Sequence, residues 1–179
     1  DVSDLLQIGA FSSATTPSAD SEANATTGWT NGTFNTFASS AGATSEPDGT
    51  YSLHLTANSA GQYCRMDVIS TLTVGKLYEV NMVYIVPNGT TGDSAFSFEI
   101  GTTAGNNDYA RVMNLYSTSW TTQTVVFEAT SANFHLQLQE AGSGGDVDIY
   151  VNQLSLHEVT PGCVAADGLA MDGWSKAPT

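Results

Sequence analysis

Basic residues are nearly missing from this chain. Four Lys and Arg stand against 18 Asp and Glu, giving a formal net charge of −14. A nucleic-acid partner needs clustered cations to displace phosphate counterions. Arg65, Lys76, Arg111 and Lys176 are too few and too scattered for that. The same scarcity argues against an anionic membrane surface and against a strongly acidic polysaccharide. Charge of either sign is low, at 12% of residues, against about 25% in ordinary soluble domains. Ser, Thr, Asn and Gln must carry solubility, as they do in many secreted and virion β-proteins.

Other absences narrow the field further. No run approaches the ~20 apolar residues that cross a membrane as a helix. No signal peptide is visible and the sequence opens on Asp1, so it reads as a mature chain or an excised fragment. There are two cysteines, Cys64 and Cys163, and no CxxC. They cannot build a zinc site alone. A bridge between them would close a long loop, and two independent thiols are the other reading. No HExxH, GxSxG or phosphate-binding loop occurs. His54, His135 and His157 fall in separate predicted strands. Glu79, Glu99, Glu128 and Glu140 could in principle form a catalytic carboxylate pair. Each sits in an alternating strand, where an outward, solvated side chain is the ordinary reading. An enzyme is not expected.

What is present is alternation. At 179 residues and 41% hydrophobic, the chain holds one domain's worth of core. Residues 12–50 are rich in Ser, Thr, Ala, Asn and Gly, with Trp29, Phe34 and Phe37 as large anchors. From Tyr51 onward the period is two. Strands are predicted over 51–56, 63–69, 77–86, 96–100, 109–116, 121–129, 134–139 and 147–158, separated by turns such as Pro87-Asn88-Gly89-Thr90. Helical patterning is essentially absent. The expectation is an all-β, antiparallel two-sheet sandwich. Leu53, Leu55, Tyr78, Val80, Met82, Phe96, Phe98, Phe127, Leu136, Leu138, Ile149 and Leu156 should point inward. In the last strand, Ile149 and Val151 share a face, but the apolar phase resumes at Leu154 and Leu156. That slip at Asn152-Gln153 predicts a β-bulge.

The two ends carry a resemblance. The chain opens Asp4-Leu5-Leu6-Gln7-Ile8-Gly9-Ala10-Phe11, reaches Gly28-Trp29-Thr30, and nears its end with Val147-Asp148-Ile149-Tyr150-Val151-Asn152-Gln153-Leu154-Ser155-Leu156. With the strand order between them, this resembles the jelly-roll carbohydrate-binding modules of the CenC type, related to the xylan- and glucan-binding modules of bacterial glycosidases. The resemblance implies one jelly roll over residues 1–159, with its first and last strands adjacent, that binds sugar without catalysing. Residues 160–179 would be a linker or the start of a following module. Family members often hold a structural calcium with acids at the positions of Ser12 and Asn152, so both departures remove ligand charge.

Sugar rings stack their C–H faces on aromatic side chains and pair their hydroxyls with polar ones. In the family the platform is the concave sheet face or the loops at one edge. His135, Gln137, Gln139, Asn81, Glu79 and Arg65 lie on polar phases and are the candidates for that face. They are expected to face solvent. Tyr109 follows the turn Asn106-Asn107-Asp108 and is a candidate for the edge. Trp29 is a candidate for stacking, although it and Trp120 read more readily as packing residues. The expected partner is a neutral polysaccharide or cell-surface glycan, and the expected setting is an extracellular or phage-encoded protein. The alternative is a structural or decoration domain of a virion or surface assembly, without a sugar site. An open groove with an exposed aromatic would favour sugar, and a flat or occluded face would favour assembly.

Overall fold

A computed structural model describes residues 6–8 (backbone only), 29–40, 47, 51–66, 72–90, 95–142 and 145–159. Among them lie eleven strands: β1 (Leu6–Ile8), β2 (Trp29–Asn31), β3 (Thr36–Ser40), β4 (Ser52–Ala57), β5 (Tyr63–Met66), β6 (Leu77–Ile85), β7 (Phe96–Gly101), β8 (Ala110–Leu115), β9 (Thr121–Glu128), β10 (His135–Glu140) and β11 (Val147–Val159). They form two sheets. The first runs β3-β4-β11-β6-β9, with β1 also against β11, and the second runs β2-β5-β10-β7-β8. Every pairing is antiparallel. No described helix is long and apolar enough to cross a membrane. The all-β sandwich expected from alternation is the fold observed.

Alternation works because successive strand side chains point to opposite faces. On β6, Tyr78, Val80, Met82 and Tyr84 are buried, while Leu77, Glu79, Asn81 and Val83 are half-exposed. All twelve residues predicted to face inward are buried. They meet Cys64, Met66, Phe134 and Ile100 in one core between the sheets. An aromatic seam runs through it. Phe127 stacks on Tyr109, Tyr78 and Phe134 at centroid separations of 4.6, 5.9 and 5.9 Å, and Tyr84 meets Phe96 edge-on at 5.2 Å. Cys64 is a free thiol within this core, and burial pushes its ionisation far up. Cys163 lies outside the described residues.

The predicted bulge is present. Val151 pairs with Tyr84 and Gln153 with Val83, leaving Asn152 as the extra residue. Its buried side-chain amide donates to the Tyr51 carbonyl at 3.3 Å and reaches the Ser52 hydroxyl at 3.4 Å. Beyond the bulge, Leu154–Leu156 pairs with β1, so the first and last strands are adjacent as the resemblance implied. Ser12 lies outside the described residues. Among the described ones, no three His, Cys, Asp or Glu gather to hold a metal.

Phe98 is fully buried on the central strands of the second sheet. Phe98→Ala should therefore cost about 3–5 kcal/mol in a denaturant titration. A loss within measurement error would contradict the packing described.

Candidate functional site

The central strand of the second sheet sets the site. Burial of Leu136 and Leu138 on β10 turns His135, Gln137 and Gln139 to the opposite face. Register then places side chains from five strands in one transverse row. Thr30 pairs with Arg65, Arg65 with Gln137, Gln137 with Glu99, and Glu99 with Arg111. The row is joined by hydrogen bonds. Arg65 Nε donates to Gln137 Oε1 at 2.7 Å, and Gln137 Nε2 donates to Glu99 Oε2 at 3.1 Å. Arg111 Nε closes it on Glu99 Oε1 at 2.8 Å.

A second row lies beside the first. Tyr63 pairs with Gln139, and Gln139 with Ser97. The Arg65 guanidinium sits 4.4 Å from the centre of the half-exposed Tyr63 ring. The ring edge packs where Gly32 has no side chain, since a Cβ there would lie 2.2 Å from it. Gln139 Nε2 donates to the Gly61 carbonyl at 3.3 Å, so the 58–62 turn borders this end of the face. The β7–β8 loop borders the other end. Asp108 folds it back by accepting from the Thr102 N–H at 2.8 Å and hydroxyl at 2.6 Å. Gly105 in that loop has φ +81°, and a Cβ there would lie 2.6 Å from Arg65 Nη2. Backbone geometry and space both call for glycine.

Electrostatics follow from this layout. Glu99 is only 3% exposed, and its carboxylate is held by Arg111, Gln137 and the Ser97 hydroxyl. A charge buried so deeply is tolerable only with such partners. Burial, and secondarily the nearby Arg65, lower the His135 pKa below its ordinary value. Burial is the largest single influence on Asp108 and opposes its ionisation, but the bonds from Thr102 and from its own backbone N–H together outweigh it and hold the carboxyl below its usual range.

The structure gathers His135, Gln137, Gln139 and Arg65 on one face, and it sends the other sequence candidates elsewhere. Asn81 and Glu79 project from the outer side of the first sheet, where Asn81 Nδ2 donates to Glu79 Oε1 at 2.7 Å. The acceptor of the Thr124 hydroxyl is Asn81 Oδ1. Asn81 and Glu79 share a polar phase with the site residues but not a sheet. Trp29 is 7% exposed, turned inward by its pairing with Met66. Tyr109 lies flat on Phe127, and its hydroxyl accepts the Ser131 N–H at 3.0 Å. Gln137 is on the expected face yet is 5% exposed, because neighbours on both sides cover it. Five residues of the two rows were not among the sequence candidates: Thr30, Tyr63, Ser97, Glu99 and Arg111. Tyr63 shares its phase with Arg65, which was the one available signal.

The four glutamates weighed as an acid pair do not assemble. Glu79 is on the first sheet, Glu99 is committed in the row, Glu128 is exposed at the end of β9, and Glu140 accepts from the Gly61 and Gly142 N–H groups. A separate aromatic patch occupies the outer side of the first sheet. His54 stacks on Tyr150 at 4.3 Å and bonds Asp148 at 2.6 Å, with Ile85 and Trp120 nearby.

Two measurements check the row. Gln137→Ala should lower stability by about 1–3 kcal/mol, because it leaves a buried Glu99 acceptor unmatched. No change in the denaturation midpoint would contradict the bond. In an NMR titration His135 should titrate below the ordinary histidine value, and Arg65→Gln should move it part of the way back. Its folded form binds a proton less readily than the unfolded chain. The His135 contribution to stability is thus whole above about pH 6.5 and erodes as the pH falls below that. A midpoint unmoved by Arg65→Gln would contradict the placement.

No family model matches the chain, and no curated protein matches it. Solved structures do. A CBM22-1 xylan-binding domain from Paenibacillus barcinonensis aligns with TM-score 0.61 at 12% identity, covering 89% of this chain and 96% of that one. A CBM4 structure aligns with TM-score 0.55 at 14% identity, over 74% and 95%. An arabinose-bound α-L-arabinofuranosidase aligns with TM-score 0.61 at 17% identity, over 88% of this chain but 26% of the enzyme. At these identities the likeness is one of fold. The chain has the jelly-roll fold of carbohydrate-binding modules.

Proposed function

We propose that this chain is a non-catalytic glycan-binding module, and that the outer face of the second sheet takes the saccharide. The observation that carries this reading is the bonded row Arg65–Gln137–Glu99–Arg111 beside the Tyr63 ring. Sugar hydroxyls need donors and acceptors held in fixed directions, and a pyranose needs an aromatic surface. The row supplies the first, because each member is oriented by its neighbour. Tyr63 supplies the second.

The Gly61 and Gly105 turns border the face at its two ends. A polysaccharide strand lying between them would run along the rows. The xylan-binding neighbour of the same fold supports a neutral polysaccharide backbone as the ligand class. The arabinofuranosidase, of which the matched span is about a quarter, supports a place within a larger carbohydrate-active protein. A decoration domain, the second reading, would call for a flat or occluded face; Gln137 and Glu99 at the centre of the row are covered, while Arg111 and Thr30 at its ends are exposed.

Affinity electrophoresis and calorimetry with neutral polysaccharides test the reading. Tyr63→Ala should weaken binding by about ten-fold, equivalent to ~1.4 kcal/mol. Gln139→Ala should weaken it less, and both should leave the thermal midpoint nearly unchanged. Binding that is indifferent to Tyr63→Ala would reject this face as the platform. Failure of every neutral polysaccharide to bind would reject the glycan reading.

A further inference from the structure

We propose that Arg65 reads a carboxylate, so that the saccharide taken by this face carries an isolated uronic acid on an otherwise neutral chain. This rests on the glycan-binding reading and specifies it. The argument begins with the few cations. Lys76 pairs with Glu158 at 3.1 Å, and Arg111 pairs with Glu99 at 2.8 Å. Lys176 lies outside the described residues. Arg65 has no acidic partner among the described residues, in a chain with 18 Asp and Glu.

Arg65 is nevertheless held in place. Its Nε is bonded to Gln137, and its plane lies over Tyr63. Neither terminal Nη group donates to a described acceptor. The loop that approaches Nη2 does so with Gly105, which brings backbone and no side chain over it. Glu99, the acid of the same row, is engaged by Arg111 and Gln137. His135 beside it is held towards its neutral form. One fixed guanidinium charge on this face is thus uncompensated.

A guanidinium presents parallel N–H groups that match the two oxygens of a carboxylate. Neutral hydroxyls can also accept from it, but they leave the charge unanswered. The net charge of −14 would repel a polyuronate at long range. Salt screens that repulsion beyond about 10 Å, whereas a contact at Arg65 is short-ranged. The combination selects a sparse carboxylate over a dense one.

The test is a titration of the whole chain at low salt, followed by 15N NMR at Arg65 Nε and the Gln137 side chain. The probes are methyl β-D-glucuronide and methyl α-D-galacturonide, their neutral glucoside and galactoside counterparts, and acetate. At least one uronide should bind about ten-fold more tightly than its neutral counterpart and than acetate. The preference should shrink at high salt and vanish in Arg65→Gln. In Arg65→Lys, which keeps the charge but not the fork, it should be reduced. Equal binding of uronides and neutral glycosides overturns the proposal, as does acetate matching the uronides or a preference that survives Arg65→Gln. If neutral polysaccharides are still retarded in affinity electrophoresis, the glycan reading stands without it. If neither uronides nor any polysaccharide binds, both fall.

Discussion

The structure depends on how β10 is held between β5 and β7. Leu136 and Leu138 are buried in the core, and each such side chain contributes roughly 1.5–3 kcal/mol by leaving water. Strand side chains alternate with period two, so a one-residue slip would expose both leucines and bury three polar residues. That penalty fixes the register. The register in turn aligns Arg65, Gln137, Glu99 and Arg111. The polar row on the outside is therefore specified by the apolar core on the inside, and the proposed binding face inherits its rigidity from packing.

The row also explains how so acidic a chain can bury Glu99. A lone carboxylate at that depth would be severely destabilising, and removal of a partner is costly for the same reason. Here the partners are arranged on both sides, with Ser97 as a third. A hydrogen-bonded network of this kind, with its buried carboxylate satisfied, is stiff. Stiffness suits a surface that must present donors and acceptors in fixed directions to a ligand without reorganising. On the opposite sheet, the Asn152 bulge performs a different task. It restores the apolar phase, so that Leu154 and Leu156 join the core after Ile149 and Val151.

The fold was legible in the sequence because its signal is local. Each strand declared its inward face through alternation, and even the bulge appeared as a phase slip at Asn152. The candidate site was legible only in part, because its signal is not local. Polar phase shows that a residue leaves the core, but not which sheet it leaves from. Asn81 and Gln137 look alike on that criterion and lie on opposite sides of the sandwich. Glu99 looked like a solvated glutamate because its partner, Arg111, stands opposite it through strand pairing rather than nearness in sequence. Trp29 illustrates the converse, since an aromatic suited to sugar stacking is equally suited to the core.

The central claim is that saccharide is taken by the Tyr63–Arg65–Gln137 face. Amide chemical-shift mapping with a xylo-oligosaccharide or another glycan shown to bind tests it most directly. The account predicts perturbations concentrated at residues 63–65, 105, 111 and 137–139. Perturbations concentrated instead around His54, Asp148 and Tyr150, on the outer side of the first sheet, would contradict it.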